Sequence, residues 1–177
     1  MRHALTVEQQ RAFMNYTANS PVFNHWAPLF TVLLGTGCRI GEIIGIRWED
    51  IDLEKRLINI NHSVTYYPRR AETTRCEFAV SLPKTEAGIR TVPMMEPVYN
   101  AFMEECEYQK ENGFSTVTLD GMEGFIFTNR FGNLHNPQAI NRTIKRIREN
   151  YNAEEILKAK KGKKEIRLLS HIFPAII

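Results

Sequence analysis

The sequence has 177 residues, of which 43% are hydrophobic and 24% charged, so it fits one globular domain of ordinary composition. It has no apolar run as long as the roughly 20 residues of a membrane span, and no signal-peptide pattern, so we expect neither a membrane protein nor a secreted one. Its three cysteines form no CxxC pair, which argues against a disulfide framework and a zinc site and favours a reducing, cytoplasmic setting.

Three helices are predicted in the first part of the chain. The first runs from Leu5 to Ser20, and Thr6 opens a capping box at its start. The second begins at Ser20-Pro21, because a capping residue followed by proline is typical of a helix start, and it ends at Gly35-Thr36-Gly37. A short third helix follows, roughly from Ile40 to Ile46.

The middle of the chain changes to a pattern typical of strands. Residues Leu57 to Tyr67 are rich in β-branched and aromatic side chains, Cys76 to Leu82 form a second run, and Ile89 to Pro93 a third. The segment from Lys84 to Gly88 has the composition of a turn between the last two runs. The sequence therefore predicts a small three-stranded antiparallel sheet.

Helices return in the last part of the chain. Residues Pro97 to Lys110 form one predicted helix, and Asn136-Pro137 opens another that ends near Tyr151. Between them, Phe125 to Thr128 form a short buried segment. The predicted fold is α+β and mainly helical, with residues 1–177 in one domain.

The net charge of +3 is a weak argument for a nucleic-acid partner, but the charge is uneven. Between Lys158 and Arg167, six of ten residues are lysine or arginine. Such a run is more often a solvated tail than a binding site, so it supports DNA binding only beside other evidence.

The segment Thr36 to Ile51, TGCRIGEIIGIRWEDI, carries the first candidate site. Arg39 stands at a predicted helix start after a glycine-containing turn, where its guanidinium can donate two parallel hydrogen bonds to a phosphate. Glu42 lies on the same helical face and is placed to hold that guanidinium. The alternative is a surface Arg–Glu pair that contributes less than ~1 kcal/mol.

The segment Leu82 to Pro93, LPKTEAGIRTVP, carries the second candidate site. Together the two segments resemble the catalytic domain of tyrosine recombinases, or phage-type integrases, which have a TGxRxxE box and a KTxxSxRxI/VP hairpin. The resemblance implies that Arg39 binds the scissile phosphate and that Lys84 protonates the leaving 5′ oxygen. Taken alone, a lysine in a turn is usually solvated surface. Gly88 departs from the family's Ser or Thr, which affects backbone geometry more than proton transfer.

Two further arginines are candidates for contacts with DNA. Arg90 follows the predicted hairpin and either meets the DNA backbone or supports the hairpin. Arg47 is the second candidate. The alternative interpretation is that Arg47 is a surface residue whose aliphatic stem packs along Trp48.

The resemblance implies a function in site-specific DNA recombination. In this family a tyrosine attacks a phosphate of double-stranded DNA to form a phosphotyrosyl link, arginines stabilise the growing charge, and no metal or cofactor takes part. A non-catalytic DNA-binding or interaction module is the alternative, and self-association is a further expectation, because family members act as tetramers.

The family's remaining catalytic features have no match in these 177 residues. Near the end, His171 is followed by Pro174 where the family's His-x-x-Arg box has its arginine, and no tyrosine has the position of the nucleophile. We therefore expect residues 1–177 to be a partial catalytic domain, without the family's N-terminal domain and C-terminal end. We expect this polypeptide neither to cleave nor to join DNA.

Overall fold

The helices and strands are those of a computed structural model that describes residues 5–68, 76–83, 85, 88–160 and 168–169. In these residues the α-helices are α1 (Val7–Asn19), α2 (Ala27–Thr36), α3 (Ile40–Gly45), α4 (Glu96–Asn112) and α5 (Pro137–Lys160). The strands are β1 (Ile51–Asp52), β2 (Leu57–Ile60), β3 (Ser63–Pro68), β4 (Cys76–Ser81) and β5 (Arg90–Pro93). The α+β, mainly helical fold is confirmed.

The capping signals predicted α1 correctly and α2 only in part. In α1 the Thr6 hydroxyl accepts from the Gln9 backbone N–H, and the Gln9 side chain accepts from the backbone N–H of Thr6. The predicted start of α2 at Ser20-Pro21 is wrong, because the helix begins at Ala27. The Ser20 carbonyl instead accepts from Asn24 in a turn, and Pro28, which has no N–H to leave unpaired, fills the first turn of α2.

Helix α5 begins where the sequence predicts and ends later. The Asn136 side chain caps it by accepting from the Gln138 backbone N–H at 2.7 Å. The helix continues past the predicted end at Tyr151 to Lys160. Just after that predicted end, the Asn152 amide both donates to and accepts from the backbone of Leu169, which is buried.

The three-stranded antiparallel sheet is confirmed, but its strands are not the predicted set. Its order is β1-β2-β5, while β3 and β4 form a separate two-stranded hairpin. The predicted strand from Leu57 to Tyr67 is thus divided at Asn61 and His62. The break follows from His62, which is buried and whose Nε2 lies 2.8 Å from the Gly45 carbonyl oxygen, so the chain turns towards α3 there.

The hydrophobic core joins the helices to the sheet and fixes where α3 lies. Its largest fully buried side chains include Phe13, Phe30 and Phe102, and α2 packs along α4. Helix α3 lies against β3 so closely that a Cβ on Gly41 would be 2.7 Å from the Val64 carbonyl oxygen. Glycine at position 41 therefore sets the distance between α3 and the hairpin. Among the described helices, none combines the length and apolarity needed to cross a bilayer.

A half-buried histidine beside this core makes the stability of the protein depend on pH. His135 packs on Trp26, with 4.5 Å between ring centroids, and burial, helped by the nearby His25, lowers its pKa from 6.5 to about 4. Because the folded pKa is the lower one, this stabilisation is complete above pH 6.5 and is lost as the pH falls towards 4. We expect this fall in pH to lower the free energy of unfolding by up to about 3 kcal/mol through His135, as measured by urea titration.

The matched control for this expectation is His135→Phe. Titrating groups that do not interact with His135 contribute equally to both proteins, so the variant should lose less stability between neutral and acid pH than the unchanged chain. Equal losses in the two proteins would contradict the assignment to His135.

Candidate functional site

A polar pocket of about 680 Å³ lies where the turn before α3 faces the segment between β4 and β5. Arg39 and Glu42 line one side of it, and Pro83, Thr85 and Arg90 line the other. The first and second sequence motifs are therefore brought together at one place on the surface.

Arg39 is held by its backbone and leaves most of its side chain exposed. Its backbone N–H donates to Glu42 Oε2 at 2.8 Å, and its Nη1 lies 3.3 Å from Glu42 Oε1. The side chain is 72% exposed, and among the described residues Glu42 is the one acceptor that its guanidinium contacts. Arg39 can therefore bind an anion from solvent while it keeps its contacts with Glu42.

Glu42 is buried, with 6% of its side chain exposed, and its main partner is Arg90. Arg90 donates from Nη1 to Oε1 at 2.9 Å and from Nη2 to Oε2 at 2.7 Å, which is a two-pronged contact. Burial alone would raise the pKa of Glu42, but the hydrogen bonds from Arg90 and from the Arg39 backbone outweigh it, so the pKa is lowered. Glu42 therefore stays ionised between two guanidinium groups.

His62 also lines the pocket, and sequence reasoning did not single it out. Its Nδ1 is hydrogen-bonded to the Asn61 side chain, and Asn61 Nδ2 donates to Asp50 Oδ1 at 3.1 Å. Asp50 in turn accepts from Arg47. A buried polar network thus extends from Arg47 to the pocket wall; a polar Asn-His pair within a strand-like run is the one sequence signal for it.

Arg47 does not line the pocket. Its side chain is 10% exposed, and its guanidinium contacts Asp50 at 3.3 Å and Glu49 at 2.5 Å. These ion pairs favour a structural role, because a DNA phosphate would have to compete with two carboxylates already in place. The predicted DNA contact of Arg47 is untested and stays a prediction.

Lys84, the predicted general acid, lies outside the described residues. Its sequence neighbours Pro83 and Thr85 both line the pocket that contains Arg39. The Gly88 backbone N–H donates to the Thr85 carbonyl at 2.9 Å. A Cβ at Gly88 would lie 2.5 Å from Pro83 Cβ, so the departure from the family's Ser or Thr permits a closer turn here.

Comparison with known proteins identifies the family to which the chain belongs. A sequence model of the phage integrase family matches residues 3–165, and the chain belongs to that family. The transposase of transposon Tn916 from Enterococcus faecalis is 32% identical over 126 residues, which cover 71% of this chain and 29% of the transposase. A XerC-like tyrosine recombinase from Caldanaerobacter subterraneus is 31% identical over 67% of this chain and 32% of its own length.

Solved structures of an integrase and a recombinase have the same fold as this chain. The integrase of transposon Tn1549, in complex with circular intermediate DNA, matches with a TM-score of 0.76 and 26% identity over 96% of this chain and 50% of that one. The XerA recombinase matches with a TM-score of 0.54 at 17% identity, which shows the fold alone. The chain spans less than a third of the length of the two curated relatives and half of the Tn1549 integrase chain.

Proposed function

We propose that the pocket around Arg39 binds a phosphodiester of double-stranded DNA in site-specific DNA recombination, and that this polypeptide alone does not carry out the cleavage or joining step. The observation that carries the proposal is the exposed Arg39 guanidinium, anchored by a buried carboxylate beside the segment that contains the second motif. Membership of the phage integrase family supports it, as does the likeness to an integrase solved with DNA.

The proposed roles follow the chemistry of each side chain. Arg39 donates hydrogen bonds to the non-bridging oxygens of the phosphate, where charge grows during strand cleavage. Lys84 is proposed as the general acid that protonates the leaving 5′ oxygen, since its neighbours in sequence line the pocket. Glu42 supports Arg39, and no tyrosine in residues 1–177 is proposed as the nucleophile.

The proposal predicts that Arg39→Ala weakens the binding of the chain to duplex DNA by about tenfold or more, because a charge-assisted contact with phosphate is lost. Fluorescence anisotropy with a labelled duplex, repeated at several salt concentrations, measures the change. The slope of log affinity against log salt should also become shallower by about one, since one phosphate contact disappears.

Two control variants separate this pocket from unspecific attraction. Arg11→Ala removes an exposed arginine from α1, away from the pocket, and Lys160→Ala removes a charge from the basic tail. Both should change the affinity less than about twofold at moderate salt. Small and equal effects of all three substitutions would refute the phosphate site and leave unspecific binding by the tail.

A further inference from the structure

The Glu42 carboxylate accepts hydrogen bonds from two arginines, and the two contacts differ in number and in length. Arg90 contacts both oxygens, at 2.9 and 2.7 Å, whereas the Arg39 guanidinium reaches one oxygen at 3.3 Å. A two-pronged contact of a guanidinium with a carboxylate is the stronger arrangement and fixes both partners. Arg90 is therefore the main counter-charge of Glu42, and Arg39 is the lesser one.

The exposure of the two arginines agrees with this division. The Arg39 side chain is 72% exposed, and that of Arg90 is 37% exposed and also donates from Nη2 to the Cys38 sulfur at 3.7 Å. Both ends of the Arg90 guanidinium are thus occupied within the protein. Arg39 keeps its Nε and Nη2 groups without an acceptor among the described residues.

We infer that Arg90 is a positioning residue, which neutralises the buried Glu42 and so leaves the Arg39 guanidinium available for the DNA phosphate. This inference rests on the proposed function of the pocket. It differs from a direct contact between Arg90 and DNA, because Arg90 here acts through Glu42 and Arg39.

The physical reason is the cost of a buried charge without a partner. Without Arg90, the ionised Glu42 would keep one guanidinium within reach, and the strong penalty for an unpaired buried carboxylate would draw Arg39 onto it. Arg39 would then have fewer donors and less net charge to offer a phosphate. Removing the Glu42 charge as well should release Arg39 again.

The test is a double-mutant cycle in duplex binding with the full chain: Arg90→Ala, Glu42→Gln and the two together. Arg90→Ala alone should weaken binding about tenfold and make the salt dependence shallower by about one, as Arg39→Ala does. The double variant should recover most of the affinity and the salt dependence. A structural defect or a lost Arg90–DNA contact predicts no such recovery.

A double variant no tighter than Arg90→Ala overturns the inference, and so does an Arg90→Ala variant that binds normally. If Arg39→Ala has no effect on duplex binding, the proposed phosphate site itself is wrong, whatever the result for Arg90. If circular dichroism shows that Arg90→Ala does not fold, Arg90→Lys replaces it, because lysine keeps the charge but cannot make the two-pronged contact with Glu42. Arg90→Lys should then bind DNA more weakly, and adding Glu42→Gln should restore the binding. A failure of this rescue would show that the inference is wrong.

Discussion

Replacing Asp50 with alanine is expected to lower the free energy of unfolding by about 3 kcal/mol or more, because it leaves a buried guanidinium short of its main partner. Asp50 is 3% exposed and accepts from the backbone N–H and the guanidinium of Arg47, which is itself 10% exposed. It also accepts from Asn61, which holds His62 in the pocket wall. Urea unfolding measures the loss, and DNA binding should weaken with it.

The matched control is Glu49→Ala, because Glu49 pairs with the same guanidinium from an exposed position. Its side chain is 67% exposed, so the pair is screened by solvent and should contribute less than about 1 kcal/mol. Equal effects of the two substitutions would show that Arg47 does not depend on the buried carboxylate.

The second large effect is expected at Phe30. Its ring is fully buried, with centroids 5.4 Å from Phe13 in an edge arrangement and 5.8 Å from Trp26 in a stacked one. Phe30→Ala should lower the free energy of unfolding by about 3–5 kcal/mol, since it removes buried apolar surface and leaves a cavity between α1 and α2. Thermal and urea unfolding measure the change.

Phe131→Ala is the control of the same chemistry on the surface. Phe131 is 74% exposed and contacts the Arg130 guanidinium, an exposed contact that contributes less than about 1 kcal/mol. A Phe30→Ala protein as stable as Phe131→Ala would mean that the core closes around the missing ring.

Local signals predicted much of the fold, and long-range contacts account for what they missed. The capping box at Thr6 and the Asn136-Pro137 start depend on neighbours within a few residues, so the sequence shows them. The division of the strand at His62 depends on the Gly45 carbonyl, which is seventeen residues away. Strand pairing has the same origin, since β5 pairs with β2 and not with the nearer β4.

Three of the candidate residues named from the sequence lie together in the structure, but the contacts that join them are not evident from the sequence. Arg39, Glu42 and Arg90 were all identified from the two motifs, and the structure brings them to one pocket. The fork between Arg90 and Glu42 was not predicted, because it joins residues forty-eight positions apart. The burial of Arg47 is not evident from the sequence, because it depends on the fold enclosing the ion pair of Arg47 with Asp50.

The tight packing of α3 on β3 has a mechanical consequence. Gly41 leaves no space for a methyl group before the Val64 carbonyl, and at the other end of the helix Gly45 is tied to His62. A close-packed joint with two attachment points transmits displacement with little give. A displacement of the β3–β4 hairpin should therefore move α3, the helix that carries Glu42, together with it.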